Sequence, residues 1–323
     1  MSRVYSNNMN KVIITGSGGY IGGQVGLDLL DNGYQVIGID RRKRPVQDYW
    51  EHAYIGEFND SNALQLITHN QPQALVHCAG TSLVGPSMLD PGEYYHNNVR
   101  KTIDLIEHVR LYSPHTHIIF ASSAATYGDP DPTLIPLLET APTVPISPYG
   151  QSKLMIEQVL ADYAHAYGLK YTAFRFFNVC GADPQARHGQ EQNATHIIAR
   201  VLESIRDNTE FVMNGDDFST PDGTCIRDYV HVADIASAIR TAITTGITGV
   251  YNIGINQGIS NLEIVHEAER ITQIKWPEKY GPRRAGDPAI LTASADKLIA
   301  NTNWQSKYNL SDMISHAWAW YTR

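Results

Sequence analysis

Residues 11–23 read KVIITGSGGYIGG, and this stretch decides the fold. Lys11–Gly16 is a short, nearly continuous apolar run, the pattern of a strand buried on both faces. It ends in glycines at 16, 19 and 22, the spacing GxxGxxG. Gly16 can take a tight turn closed to residues with a Cβ. Gly19 lets the backbone approach a pyrophosphate, and Gly22 lets the next helix pack close to the strand. That helix begins at Tyr20, and its N-terminus offers free N–H groups and a positive dipole end to phosphates. A glycine string has weight only between a strand and a helix of a βαβ unit, which is where this one lies.

Outward from this turn, strands and helices alternate. Further strands are predicted at Gln35–Asp40, Ala53–Phe58, Ala74–Gly80, His117–Ser123 and Tyr171–Val179. Helices are predicted at Tyr20–Asn32, Ser61–His69, Pro91–Leu111 and Pro148–Tyr167. This succession predicts an α/β fold, a doubly wound parallel Rossmann sheet. After about Asn178 the rhythm changes and loops lengthen, as in NGDDFSTPDGT at 214–224. Helices are predicted there at Thr195–Asp207, His231–Thr244 and Asn261–Thr272, the last with a capping box of Ser260 and Glu263. This half reads as a smaller C-terminal lobe over the carboxyl ends of the sheet, where ligands bind in such folds.

Composition narrows the function. Of the 323 residues, 42% are hydrophobic and 18% charged, as in a globular chain. A net charge of -8 and a pI near 5.9 disfavour a nucleic-acid partner. The three cysteines, Cys78, Cys180 and Cys225, lie far apart and fit a reducing compartment. Thirteen histidines are scattered without HExxH spacing, so no metal is expected. The opening MSRVYSNNMN has no apolar run, and no stretch approaches the ~20 apolar residues of a membrane span. The expectation is a cytoplasmic protein without a membrane partner.

Two further features carry chemistry. Asp40 ends the second strand, where a carboxylate can hydrogen-bond an adenosine ribose diol, favouring NAD over NADP. The basic run Arg41–Arg44 follows and could greet a 2′-phosphate, but Asp40 would repel that group. Ser147–Lys153 reads SPYGQSK and contains YxxxK. On a helix the Lys153 ammonium then shares a face with the Tyr149 phenol. A nearby cation, together with the positive ring of an oxidised nicotinamide, would lower the phenol pKa and make Tyr149 a general base. The preceding strand ends in Ser122-Ser123, which puts a hydroxyl within reach.

Glycine turn, strand-end serine and YxxxK together resemble the extended short-chain dehydrogenase/reductase superfamily. TGSGGYIGG, LVGPSMLDPGEYYHNNV, ASSAATYGD, SPYGQSKLMIEQ, RFFNVCGADP, DGTCIRDYVHVADIA and PRRAGDPA follow in order. Nearly the whole chain thereby resembles the UDP-glucose 4-epimerases. The resemblance implies NAD as cofactor and a UDP-sugar as substrate, with Ser123, Tyr149 and Lys153 catalytic. It implies cofactor contacts at Gly16, Gly19, Tyr20, Ile21, Gly22, Asp40, Glu57, Phe58, Ala79, Asn98, Tyr149, Lys153 and Phe176. Substrate contacts are implied at Ser123, Tyr149, Asn178, His196, Ile197, Arg227, Arg284, Asp287 and Leu291. It implies a NAD-binding domain over 10–178, with crossing segments near 228–254. The nucleotide-sugar lobe would cover 179–323, mainly 179–227 and 255–323. The implied dimer forms through helices 97–111 and 148–167.

Some positions depart from the family pattern. Glu57 stands where aspartate is usual, Ser82 where some members have lysine, and Asn214 where an aromatic residue is frequent. A tyrosine at the Leu291 position goes with exclusion of N-acetylated sugars, a small residue with their admission. Leucine is intermediate, so both sugar pairs stay open. A dehydratase or decarboxylase on this fold is the alternative, but dehydratases use an acid–base pair where this chain has Ala124 and Ala125. Epimerisation of UDP-uronic acids, or a non-catalytic NAD-binding regulator, are the other readings. Retention of Ser123, Tyr149 and Lys153 opposes the last.

Overall fold

Where the sequence runs apolar without alternation, the strands are buried on both faces. The computed structural model describes residues 10–192, 194–275, 277, 279–283 and 287–323. Its first half runs β1 (Lys11–Thr15), α1 (Tyr20–Asp31), β2 (Gln35–Asp40), β3 (His52–Ile55), α2 (Ser61–Asn70), β4 (Ala74–His77), α3 (Val84–Leu89), α4 (Pro91–Tyr94), α5 (Lys101–Tyr112), β5 (His117–Ser123) and α6 (Pro148–Tyr167). Then follow β6 (Tyr171–Phe176), β7 (Asn178–Cys180), α7 (Ile197–Asp207), β8 (Met213–Asn214), β9 (Ile226–His231), α8 (Val232–Thr245), β10 (Gly249–Ile253) and β11 (Gly258–Ser260). The chain closes with α9 (Asn261–Thr272), β12 (Tyr280–Gly281), β13 (Ile290–Leu291), α10 (Asp296–Thr302) and α11 (Leu310–Tyr321).

Seven strands form one sheet in the order β10-β6-β5-β4-β1-β2-β3. β1 pairs in parallel with β2 and with β4, and β4 pairs in parallel with β5. The chain winds outward from β1 to β3, then returns to build the other side from β4. This is the expected doubly wound sheet, with its switch point between β1 and β4. Ligand crevices in such sheets open at that point.

The described chain forms two compact units. The first takes in the described residues up to Gly128, with Thr143–Arg175 and Ala236–Tyr251. Its core includes Ile13, Ile39, Leu75, Ile118, Phe120, Ile156 and Leu160. Full burial of side chains of this size contributes about 1.5–3 kcal/mol each. Helix α6 is well framed: Ser147 Oγ accepts the Gly150 N–H at 3.1 Å, Pro148 opens the first turn, and Gly168 closes it at φ 72°.

The second unit is Asp129–Pro142, Phe176–Ile235 and Asn252–Arg323. Strand β9 is its spine, pairing with β7, β11 and β13. Ile198, Leu202, Ile264, Met313 and Ile314 pack a core from α7, α9 and α11. Asp228 of β9 is fully buried and accepts the Ile255 and Ala293 N–H groups at 2.8 and 3.2 Å. Burial pushes its carboxyl up to about 6. Residues 129–142 join this unit through Leu137, which exchanges backbone hydrogen bonds with Thr292 and Ser294 at 2.9 Å.

Several elements differ from expectation. The run expected as one strand over Tyr171–Val179 is two, β6 and β7, which join different sheets. The expected Pro91–Leu111 helix forms, but it widens to a π-type stretch at Tyr95–Arg100. Strand β3 ends at Ile55, where Gly56 N–H turns to the Asp40 carbonyl at 2.9 Å. Helices α3, α10 and α11 were not foreseen. The α11 signal was present: Asn309 and Asp312 form a capping box. Met313, Ile314, Ala317 and Tyr321 repeat at helical spacing, and all are buried. Helix α9 starts at Asn261 with the expected Ser260–Glu263 capping box.

The glycine turn leaves no slack. A Cβ on Gly22 would lie 2.2 Å from the Gly16 carbonyl oxygen. Gly22→Ala should therefore lower stability by about 1–3 kcal/mol, in the range of overpacked cores. Thermal melting should show a drop of several degrees; an unchanged Tm would contradict the close packing.

Candidate active site

Phosphate cradles need backbone N–H groups with no side chain in front of them. Gly16 turns at φ 71°, and a Cβ there would lie 2.8 Å from the Ala79 nitrogen. The ends of β1 and β4 thus meet without a side chain between them. Tyr20 and Ile21 begin α1, behind Gly19 as its N-cap. Asp40 sits beside the turn, accepting the Gly18 N–H at 3.0 Å and the Arg42 N–H at 3.1 Å. These features fit a dinucleotide. Arg41, Arg42 and Lys43 are exposed, and Lys43 pairs with exposed Asp48 at 2.9 Å. That run is a solvated turn of little energetic weight.

The other expected cofactor positions are placed as follows. Glu57 pairs with Lys101 at 3.1 Å. Phe58 is buried, with its ring against His77 at 4.9 Å. Asn98, 3% exposed, acts as a brace in the widened helical stretch. Its Oδ1 accepts the Thr81 N–H at 2.8 Å, and its Nδ2 donates to the Thr81 carbonyl and to Ser152 Oγ. Both amide hydrogens are therefore committed to the protein. Phe176 ends β6 and belongs to the second unit. Ser82 is exposed.

The structure brings Ser123, Tyr149 and Lys153 together in the first unit. Ser123 ends β5, and its Oγ accepts the Ala125 N–H at 3.2 Å. Tyr149 lies in the first turn of α6 and shares a hydrogen bond with Ser123. Lys153, one turn on, donates from Nζ to the Ala121 carbonyl at 2.8 Å. Nζ lies 4.9 Å from the Phe120 ring centre and 5.9 Å from that of Tyr149. The edge of Tyr94 packs on Tyr149 at 6.4 Å.

Lys153 by itself does not depress the phenol. Burial holds the Tyr149 phenol above its ordinary value, outweighing the Ser123 bond that lowers it. Burial also drives the Lys153 ammonium down to about 8. The reason is desolvation: both groups lose water, and the ammonium turns to a carbonyl rather than to the phenol.

The second unit has a cavity of about 210 Å3. Asn178, His196, Ile197, Arg227 and Asp287 line it, as do Asn214, Tyr229 and Trp320. Arg227 Nη2 lies 3.6 Å from Asp287 Oδ1, and Nη1 donates to the Ile226 carbonyl at 2.8 Å. Burial lowers the pKa of His196, which keeps the ring neutral at pH 7. Leu291 of β13 sits in register with Arg227 of β9. Arg284 lies outside the described residues. Tyr229 was missed, although the signal existed: two residues beyond Arg227 on a strand, a side chain points the same way.

Residues 12–254 match the model of the NAD dependent epimerase/dehydratase family. The chain is 39% identical over 320 residues to the UDP-glucose 4-epimerase of Halalkalibacterium halodurans, covering 96% of this chain and 95% of that protein. It superposes with a TM-score of 0.90 on the UDP-glucose 4-epimerase from Brucella ovis in complex with NAD. That match has 36% identity and covers 96% of this chain and 98% of the other. The UDP-glucose 4-epimerase from Bifidobacterium longum in complex with NAD+ and UDP gives 0.88 at 31% identity, over 97% and 98%.

The Tyr149 electrostatics can be read directly. Without cofactor, the phenolate absorbance that distinguishes wild type from Tyr149→Phe should titrate at higher pH than that of a free tyrosine. A positive nicotinamide ring favours the anion, so oxidised NAD should move the titration to lower pH. No movement would show that the cofactor charge does not reach Tyr149.

Proposed function

The chain belongs to the NAD dependent epimerase/dehydratase family, and we propose that it catalyses reversible C4 epimerisation of a UDP-hexose, interconverting UDP-glucose and UDP-galactose. One observation carries the reading: Ser123, Tyr149 and Lys153 cluster at the end of β5 and the start of α6, in the unit that holds the glycine cradle. Tyr149 takes the proton of the C4 hydroxyl as the carbon is oxidised and returns it as the carbon is reduced. Ser123, bonded to Tyr149, holds that hydroxyl in line. Lys153 binds the nicotinamide ribose and supports the phenolate. Bound NAD supplies the hydride acceptor and donor, so no external redox partner is consumed.

Arg227, Arg284, Asn178 and His196 hold the UDP moiety; guanidinium forks suit its diphosphate. A firmly held UDP keeps the 4-keto sugar from escaping while the ring turns to offer its other face. Ala124 and Ala125 follow Ser123 in place of the acid–base pair of a dehydratase. The functional unit is a homodimer through helices 97–111 and 148–167, a reading that rests on the family resemblance. The three cysteines are free, which supports a cytoplasmic setting. No described helix is long and apolar enough to cross a membrane.

The test is a coupled assay with UDP-galactose and UDP-N-acetylgalactosamine in parallel, without added reductant. UDP-galactose should turn over, and the ratio of the two rates reports what Leu291 admits. Tyr149→Phe should fold and keep NAD while kcat falls at least about a hundredfold. Wild-type turnover in that variant, or none in a wild type that holds NAD, would count against the reading.

A further inference from the structure

The strand end carrying Ser123 and the helix turn carrying Tyr149 and Lys153 are joined by more than one bond. Ser122 is buried and donates its hydroxyl to Glu157 Oε1 at 2.5 Å. Glu157 lies one turn beyond Lys153, on the same face of α6. Its carboxylate, 4% exposed, receives a guanidinium fork from Arg175 of β6. Nε approaches its two oxygens at 3.1 and 3.2 Å, and Nη2 donates to Oε2 at 2.6 Å. The guanidinium also lies over the Tyr127 ring, 4.7 Å from its centre. Tyr127 caps the 3-10 turn that begins directly after Ser123. A buried ion pair is a costly way to fill a core, since apolar groups of like volume are often as stable. What it adds is directed bonds between β5, α6 and β6.

We propose that Ser122 and Glu157, braced by Arg175, are positioning residues that hold Ser123 in register with Tyr149 and Lys153. The proposal rests on the epimerase reading, because proton transfer at Tyr149 is what the register serves. Charge adds to geometry. Burial drives the Lys153 ammonium down, and the Glu157 carboxylate one turn away opposes that shift.

Ser122→Ala removes only the hydroxyl and leaves Glu157 its Arg175 fork, so it should fold and melt as wild type. Its kcat for UDP-galactose should fall about tenfold or more, with KM and NAD affinity within about twofold of wild type. Ser122→Thr should restore most of the loss. Glu157→Gln is made together with Arg175→Met, which avoids an unpaired buried guanidinium. In this double variant the alkaline limb of the kcat–pH profile should move to lower pH, because of the two charges removed it is the Glu157 carboxylate that, together with Cys78, raises the Lys153 pKa. A packing role alone would leave that limb in place. Wild-type kcat in Ser122→Ala, or an unmoved limb in the double variant, overturns the proposal. An inactive wild type sinks the epimerase reading instead. The register is then read from the Tyr149 phenolate titration, which Ser122→Ala should shift by loosening the Ser123 bond; no shift overturns the proposal.

Discussion

An ammonium buried among apolar side chains costs several kcal/mol unless something answers its charge. Lys153 is 6% exposed, and the Ala121 carbonyl is what answers it. Ala121 lies two residues before Ser123, and Lys153 lies one helical turn after Tyr149. This bond and the Ser122–Glu157 bond fix the end of β5 against the start of α6, and with it the distance between the serine hydroxyl and the phenol. The same burial sets the chemistry. It lowers the ammonium to about 8 and holds the phenol high until another positive charge arrives.

Labour is divided along the chain. The first unit contributes the glycine cradle, the carboxylate of Asp40 and the proton-transfer group. The second contributes a cavity lined by Asn178, His196, Arg227 and Asp287, in which Arg227 and Asp287 lie 3.6 Å apart.

Much of this was legible in the sequence because the deciding features are local. A continuous apolar run, three glycines at fixed spacing and a capped helix with tyrosine and lysine four apart each need only a few neighbouring residues. Helix α6 was placed to the residue for that reason, with Ser147, Pro148 and Gly168 marking its ends. What escaped was non-local. Nothing in the run YTAFRFFNV tells that Phe177 separates two strands of different sheets. The bonds of Asn98 to Thr81 and Ser152, residues 17 and 54 positions away, are likewise invisible to spacing. The strand-end hydroxyls are visible in the sequence, but the link of Ser122 to Glu157 and Arg175 exists only once the fold brings them together. Spacing reveals a cation near the phenol but not the loss of water around both groups, which raises the Tyr149 pKa.

In the proposed reaction hydride leaves C4 and returns to the same carbon while Tyr149 handles only the hydroxyl proton. The most direct measurement is turnover of UDP-galactose deuterated at C4 in ordinary water, with the product analysed by mass and by NMR. The product should be UDP-glucose with deuterium fully retained at C4. Loss of that label to solvent would contradict that reaction, because the proton on Tyr149 would then be the hydrogen delivered to carbon.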